Sequence, residues 1–366
     1  MSARELIVLG TSSQVPTRYR NHNGYLLRWD DEGLLFDPGE GSQRQMIFAD
    51  VTVTQVTRIL VTHFHGDHCL GLAGLSQRIS LDRVPHEIDV HYPASGQLYF
   101  ERLRHASIYH DVSRIAARPV RGDGVIHKSG KLQLSARRLD HGVETYGYRL
   151  AEHDGRTMLP EKLAAAGIVG PQIKELIQRG SFEVGGRVVR LDEVSLFKPG
   201  QSFAFVMDTR LCDNAIELAK GVDLLVCEST YLSSEEREAR EHGHMTARQA
   251  GIVAAEAGVR KLVLTHFSQR YGSTRPFVDE ARAVFDGEVV AVRDGDRVPV
   301  PKRAGADDGP NEAALSATSR PSHLPRASCR GRSRRRWPAA PTHSSRGAET
   351  SRDSTSDAPP SRSLRR

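Results

Sequence analysis

Cysteine is scarce in this 366-residue chain: Cys69, Cys212, Cys227 and Cys329 are the only four, and they show no paired spacing. That argues against a disulfide framework and for a reducing, cytoplasmic setting. Long apolar runs are missing too. None approaches the roughly 20 residues a membrane-spanning helix needs, so no membrane association is expected. The opening MSARELIVLG has too short an apolar run for a signal peptide and reads as a first strand.

A basic surplus is absent where a folded body would carry it. The whole chain is +6, but residues 301–366 hold 14 Lys/Arg against 6 Asp/Glu, leaving residues 1–300 with 37 against 39, or −2. Broad electrostatic attraction to nucleic acid is therefore not expected of the body, and local groups such as Arg18, Arg20 and Arg28 would have to supply it. The segment 301–366 is rich in Arg, Ser, Pro, Ala and Thr with almost no apolar periodicity. It is expected to be a disordered basic tail, able to attract phosphate nonspecifically through Arg332 and Arg334 to Arg336. Residues 1–300 suffice for one large α/β domain.

What is present is imidazole, densely placed. Residues 61–68 read VTHFHGDH, directly behind the apolar run Ile59-Leu60-Val61. The spacing of His63 and His65 puts both rings on one side of an extended segment. Gly66 permits a tight turn that swings Asp67 and His68 back toward the same point. Buried imidazoles cost free energy without partners, and imidazole with carboxylate suits zinc and similar divalent ions. Cys69 adjoins the cluster but is not needed as a ligand.

The format recurs. Leu134 to Leu139 ends in Asp140-His141; Phe203 to Met207 ends in Asp208; Lys261 to Thr265 ends in His266. Each is an apolar strand whose carboxyl end carries a metal-competent side chain, and in layered α/β folds ligands bind at that edge. Seven ligands (His63, His65, Asp67, His68, His141, Asp208, His266) suit two metals with Asp208 bridging. Strand-like runs near 6–9, 24–29, 33–36, 58–62, 88–92, 132–139, 146–150, 203–207, 223–227, 261–265 and 288–292 alternate with amphipathic helices over 95–106, 213–220, 245–257 and 277–285.

HFHGDH followed by a lone His, a lone Asp and a final His resembles the metallo-β-lactamase superfamily. Leu9–Asn21, Leu34–Gln45, Gly243–Thr246 and Thr265–Tyr271 are similar to the signatures of its ribonuclease Z family, the endonucleases that trim tRNA 3′ ends. Pro38, Met207 and Met245 stand where that family commonly has cysteine, glycine and serine; none is a ligand. The resemblance covers roughly residues 4–298. It implies an α/β fold, the metallo-β-lactamase αβ/βα sandwich with a protruding arm insertion, and two Zn2+ per chain. It also implies a homodimer that cleaves the 3′ trailer from precursor tRNA. The alternative is a phosphodiesterase or arylsulfatase of the same fold acting on small esters.

On that basis one zinc is expected at His63, His65, His141 and Asp208, and the other at Asp67, His68, Asp208 and His266. Asp67 is the expected proton acceptor and His244 the expected proton donor, its ring oriented by Glu228. Residues 152–200, with no metal-type residue at a strand end and 7 Lys/Arg against 7 Asp/Glu, correspond to the substrate-binding arm. Lys162, Lys174 and Arg179 are its candidate RNA contacts.

Overall fold

In the strands that carry most of the buried core, such as Glu5–Gly10, Gly24–Trp29, Ser202–Val206 and Lys261–Thr265, both faces are covered. The computed structural model describes residues 4–303, so the expected tail falls outside the described residues except for its first three. In β1 (Glu5–Gly10), Leu6 and Val8 point between two sheets while Ile7 and Leu9 point outward beneath helices. The first sheet continues with β2 (Gly24–Trp29), β3 (Glu32–Phe36), β4 (Arg58–Leu60), β5 (Ile88–Pro93) and β6 (Ile115–Val120). Its outer face is covered by α1 (Ser42–Phe48), the single turn α2 (Gly66–Cys69), α3 (Gly71–Leu81) and α4 (Gln97–Arg104).

The second sheet begins with β7 (Gly124–Ser129), β8 (Leu132–Arg138) and β9 (Tyr146–Glu152). The chain then leaves both sheets. It forms β10 (Gly155–Met158), α5 (Pro160–Ala165), α6 (Pro171–Arg179), the hairpin β11 (Ser181–Val184) and β12 (Arg187–Arg190), and β13 (Ser195–Lys198). β10 pairs with β13 at the root of this excursion, and Leu163, Ile168, Leu176, Val189 and Val194 give it a small core of its own.

The chain returns as β14 (Ser202–Val206), α7 (Asp213–Ala219), β15 (Leu224–Glu228), α8 (Glu236–His242), α9 (Ala247–Glu256), β16 (Lys261–Thr265), α10 (Arg275–Arg282) and β17 (Glu288–Ala291). A last strand, β18 (Arg297–Pro299), crosses back to pair with β1. The sheet orders are β18-β1-β2-β3-β4-β5-β6 and β17-β16-β15-β14-β9-β8-β7, each parallel on one side and antiparallel on the other. Phe36, Tyr148, Phe203 and Phe205 fill the space between them, and α7, α9 and α10 cover the second sheet. Helix, sheet, sheet and helix stack as the expected αβ/βα sandwich. Among the described residues no helix is long and apolar enough to cross a membrane.

The expected strands are all present. Not anticipated were α1, α3, α8, β6, β7 and β18, together with α5 and the strands inside 152–200. Gly66 also plays a different part from the one expected. It opens the helical turn α2 and does not use a left-handed backbone, so the turn of helix itself carries Asp67 and His68 back to the site.

Candidate metal centre and active site

Every expected ligand sits just beyond a strand, at the edge where both sheets end. His63 and His65 follow β4, and Asp67 and His68 lie in α2. His141 follows β8, Asp208 follows β14, and His266 follows β16. Asp208 and His266, with Asp37 beyond β3, adopt left-handed backbone conformations (φ 46°, 61° and 42°). Asp and His tolerate this region better than most residues, and such strain concentrates at functional sites.

The side chains converge in three groups, each with its donor atoms within 4.8 Å of one another. His63, His65, His141 and Asp208 form one set, and Asp67, His68 and His266 form another. The third, Asp208, His244 and His266, shares one residue with each of the first two sets. His63 Nε2 lies 2.9 Å from His65 Nδ1, and His141 Nε2 lies 3.3 Å from the same atom. Asp208 reaches both sets: Oδ2 is 3.5 Å from His63 and 3.3 Å from His68, while Oδ1 is 3.1 Å from His266 Nε2. Asp67 Oδ2 lies 3.2 Å from His68 Nε2 and 3.5 Å from His266 Nε2.

This donor set fits divalent cations. Asp208 Oδ1 and His266 Nε2 are buried polar atoms with no hydrogen-bond partner, which is costly unless something else satisfies them. Four imidazoles are also held from behind. The nitrogen facing away from the centre meets Thr62 Oγ1 in His63 (3.0 Å), Asp37 Oδ2 in His68 (2.9 Å), the Gly243 carbonyl in His141 (2.9 Å) and Thr230 Oγ1 in His266 (2.7 Å). Metal-binding histidines characteristically have such partners, which select the tautomer that leaves the inward nitrogen free. Gly243 is needed for this approach: its φ is +80°, and a Cβ there would stand 2.7 Å from His141 Nδ1.

The electrostatics agree at His63 and Asp208, whereas His68, although burial lowers its pKa, is raised well above the usual imidazole range by Asp208, Asp67 and Asp37. Burial, reinforced by His68, pushes His63 well below the usual imidazole range, so it is neutral and able to ligate. Burial opposes ionisation of Asp208, yet His266, His68 and His244 outweigh it and hold the carboxyl well below the usual range. Cys69 takes no place among these atoms. Its thiol donates to the His65 carbonyl, and burial raises its pKa to about 12.

His244 and Glu228 meet beside Asp208. His244 Nδ1 is 3.1 Å from Glu228 Oε1 and 4.0 Å from Asp208 Oδ2. Glu228 is fully buried, and its carboxylate accepts four hydrogen bonds. Thr209 N–H (2.6 Å) and His244 meet Oε1; Thr230 Oγ–H (2.6 Å) and Met245 N–H (3.2 Å) meet Oε2. A carboxylate offers about four acceptor positions, so Glu228 is saturated and can orient but not abstract. Burial lowers the His244 pKa, but Glu228 and Asp208 outweigh it and raise it to about 9, so the ring carries a proton at neutral pH.

The centre opens into a cleft of about 420 Å³ bordered by Gln14, Val15, Tyr231 and Arg270, with Arg270 over the Tyr231 ring at 5.0 Å. A second cleft, of about 390 Å³, is lined by Arg18, Tyr19, Arg20 and Arg44. Of the three arginines expected to form a basic patch, Arg28 does not join. It lies on β2, bound to Glu5 (3.3 Å) and Gln55 (3.0 Å). In the excursion, Lys162, Lys174 and Arg179 are exposed, Arg179 pairing with Glu175 at 2.9 Å.

Asp37 and Thr230 were not among the residues expected at the site. Asp37 had a signal, since LLFD is another apolar strand ending in an acid. Thr230 had none of its own.

A strand-edge His/Asp centre between two covered sheets defines a hydrolase of the metallo-β-lactamase superfamily. Family models for that superfamily match residues 17–147 and, as the beta-lactamase superfamily domain, residues 175–267. Among solved structures, the Bacillus subtilis fold member YhfI is 20% identical with a TM-score of 0.60 over 81% of this chain and 99% of its own. The short form of human tRNase Z is 23% identical with a TM-score of 0.58 over 81% and 99%. Ribonuclease Z from Streptomyces avermitilis is 60% identical over 304 residues, 83% of this chain and all of that one. Ribonuclease Z from Chlamydia trachomatis is 49% identical over 285 residues, 78% and 94%. The chain belongs to the ribonuclease Z family.

Proposed function

We propose that this chain is a zinc-dependent endoribonuclease that removes the 3′ trailer of precursor tRNA and leaves a 3′-hydroxyl on the tRNA. The observation that carries this is 60% identity to a ribonuclease Z along that protein's whole length, supported by the gathering of the seven candidate ligands at one strand edge. His63, His65, His141 and Asp208 would hold one ion, and Asp67, His68, Asp208 and His266 the other. Two such ions supply a water of lowered pKa and positive charge for the phosphoryl oxygens.

The chain's own residues do the rest. Asp67, at the inner edge of the cleft, accepts the proton of the attacking water. His244, protonated at neutral pH, donates one to the departing ribose oxygen. Glu228 fixes that ring, having no acceptor position left for another role. The arm 152–200 grips the tRNA body through exposed Lys162, Lys174 and Arg179, and that remote binding seats the scissile phosphate.

A cytoplasmic setting suits the three unpaired cysteines among the described residues. A homodimer suits the exposed Ile47, Phe48 and Leu81 on α1 and α3, apolar surface that a second copy would cover. The test compares precursor tRNA with a small nitrophenyl phosphodiester. The proposal requires chelator-sensitive cleavage of the tRNA at a far higher kcat/KM; preference for the small ester would replace it with a small-diester hydrolase.

A further inference from the structure

Thr230 is a buried residue that no step above uses, yet its hydroxyl touches both halves of the site. Oγ1 lies 2.7 Å from His266 Nδ1 and 2.6 Å from Glu228 Oε2, and His244 Nδ1 is 3.4 Å away. A hydroxyl has one proton to give. Glu228, with four donors around it, is an acceptor only, so the Thr230 proton goes to Oε2. Oγ1 must then accept from His266. The tautomer of His266 follows: Nδ1 carries hydrogen, and the lone pair is on Nε2. That is the nitrogen that faces Asp208 and Asp67 and has no hydrogen-bond partner. The same hydroxyl fills one of two positions on Oε2, leaving Oε1 to Thr209 and His244.

We propose that Thr230 is a positioning residue that couples the second metal position to the proton donor. Through one hydroxyl it sets the His266 tautomer and anchors the carboxylate that holds His244. The hydrogen bonds run in one direction, from His266 to Thr230 to Glu228, and meet the bond from His244 on that carboxylate. The inference rests on reading the site as a two-metal hydrolytic centre.

Thr230→Val keeps the shape and removes the hydroxyl. Thr230→Ser keeps the hydroxyl and removes the methyl. Each full-length variant is stripped of metal and titrated with zinc against a competing chelator, and kcat and KM are then measured on precursor tRNA at saturating zinc. Loss of a partner behind a metal-binding imidazole costs about 10–100-fold in affinity or activity. Thr230→Val should therefore bind its first ion as the parent does and its second about 10–100-fold more weakly, with kcat reduced and KM unchanged. Thr230→Ser should restore both. If Thr230→Val does not fold, Thr230→Ala carries the same expectation.

Wild-type second-ion affinity and kcat in Thr230→Val would overturn the inference. So would a Thr230→Ser variant as impaired as Thr230→Val, since the methyl packing would then matter and not the hydroxyl. A parent protein that binds fewer than two ions would overturn the two-metal reading and this inference with it. A two-ion parent with an indifferent Thr230→Val overturns the inference alone.

Discussion

At the residue scale, the roles given to Asp67 and His244 separate cleanly. In its proposed roles Asp67 is both a metal ligand and the proton acceptor, so Asp67→Ala should abolish cleavage and lower metal content by elemental analysis. His244→Ala should keep its metals and slow turnover on the order of 10²–10⁴-fold, the usual contribution of a proton donor. That loss should shrink for an ester with a good leaving group, and a His244→Ala protein that had lost metal would make His244 a ligand. His91 on β5 offers a different test. It is buried with Nε2 unpartnered, and burial lowers its pKa to about 4. A depressed imidazole stabilises the fold above the unfolded value of 6.5, and that contribution fades as pH falls toward 4. The metal-free parent should lose on the order of 3 kcal/mol more than His91→Gln between pH 7.5 and 4.5 in urea unfolding. Parallel pH profiles would show that His91 is not the neutral buried group described here.

At the scale of elements, the sequence was most legible where a strand ends in a charged or imidazole side chain. Apolar β4, β8, β14 and β16 each deliver one or more of the seven converging groups. β4, β14 and β16 lie in the parallel halves of the sheets. β8, antiparallel to β9 as β14 is, runs in the same direction as β14, so their carboxyl ends meet at one edge. β3 and the segment after β17 follow the same format, and their terminal acids prove to be supports. Asp37 holds His68, while Asp294 accepts from Thr11 Oγ1 (2.8 Å) and the Asn21 amide (2.6 Å) and so anchors the Arg18–Arg20 loop. Nothing local distinguishes a cation-facing acid from one that braces it, since only three-dimensional neighbours decide. α1 was missed because its apolar residues do not mark one buried face: Met46 is buried, whereas Ile47 and Phe48 are exposed.

The excursion between β9 and β14 has its own core and its own paired root, so it can be removed as a unit. Replacing Asp154–Lys198 with a short Gly/Ser linker should sharply lower kcat/KM for precursor tRNA and spare a nitrophenyl phosphodiester, which is too short to reach it. Equal retention of both activities would make the excursion irrelevant to substrate. Equal loss, with circular dichroism unchanged, would mean that it helps build the centre.

At the scale of the whole molecule, the two-sheet architecture and the family were readable from motif order, whereas the carboxyl-terminal boundary needed the fold. Arg303 lies past the point at which the body was expected to end. Its guanidinium binds the buried Asp223 carboxylate (2.8 Å) and the Gly221 carbonyl (3.1 Å). A chain ending at Arg303 should fold and turn over like the full chain, with RNA affinity at low salt modestly lower. A chain ending at Lys302 should melt lower, because Asp223 keeps only the half-exposed Arg260 as a cationic partner. Equal melting temperatures would show that the Arg303 pair adds nothing measurable.

The proposed two-ion His/Asp centre should make one endonucleolytic cut at the 3′ side of a tRNA. The most direct measurement is end-mapping of the products from an end-labelled precursor tRNA, with zinc, with chelator, and with zinc restored. One cut should release the trailer intact, leave a 3′-hydroxyl on the tRNA, disappear with the chelator and return with zinc. Cleavage that persists in chelator, or a ladder of single-nucleotide products with no intact trailer, would rule out a single metal-dependent cut.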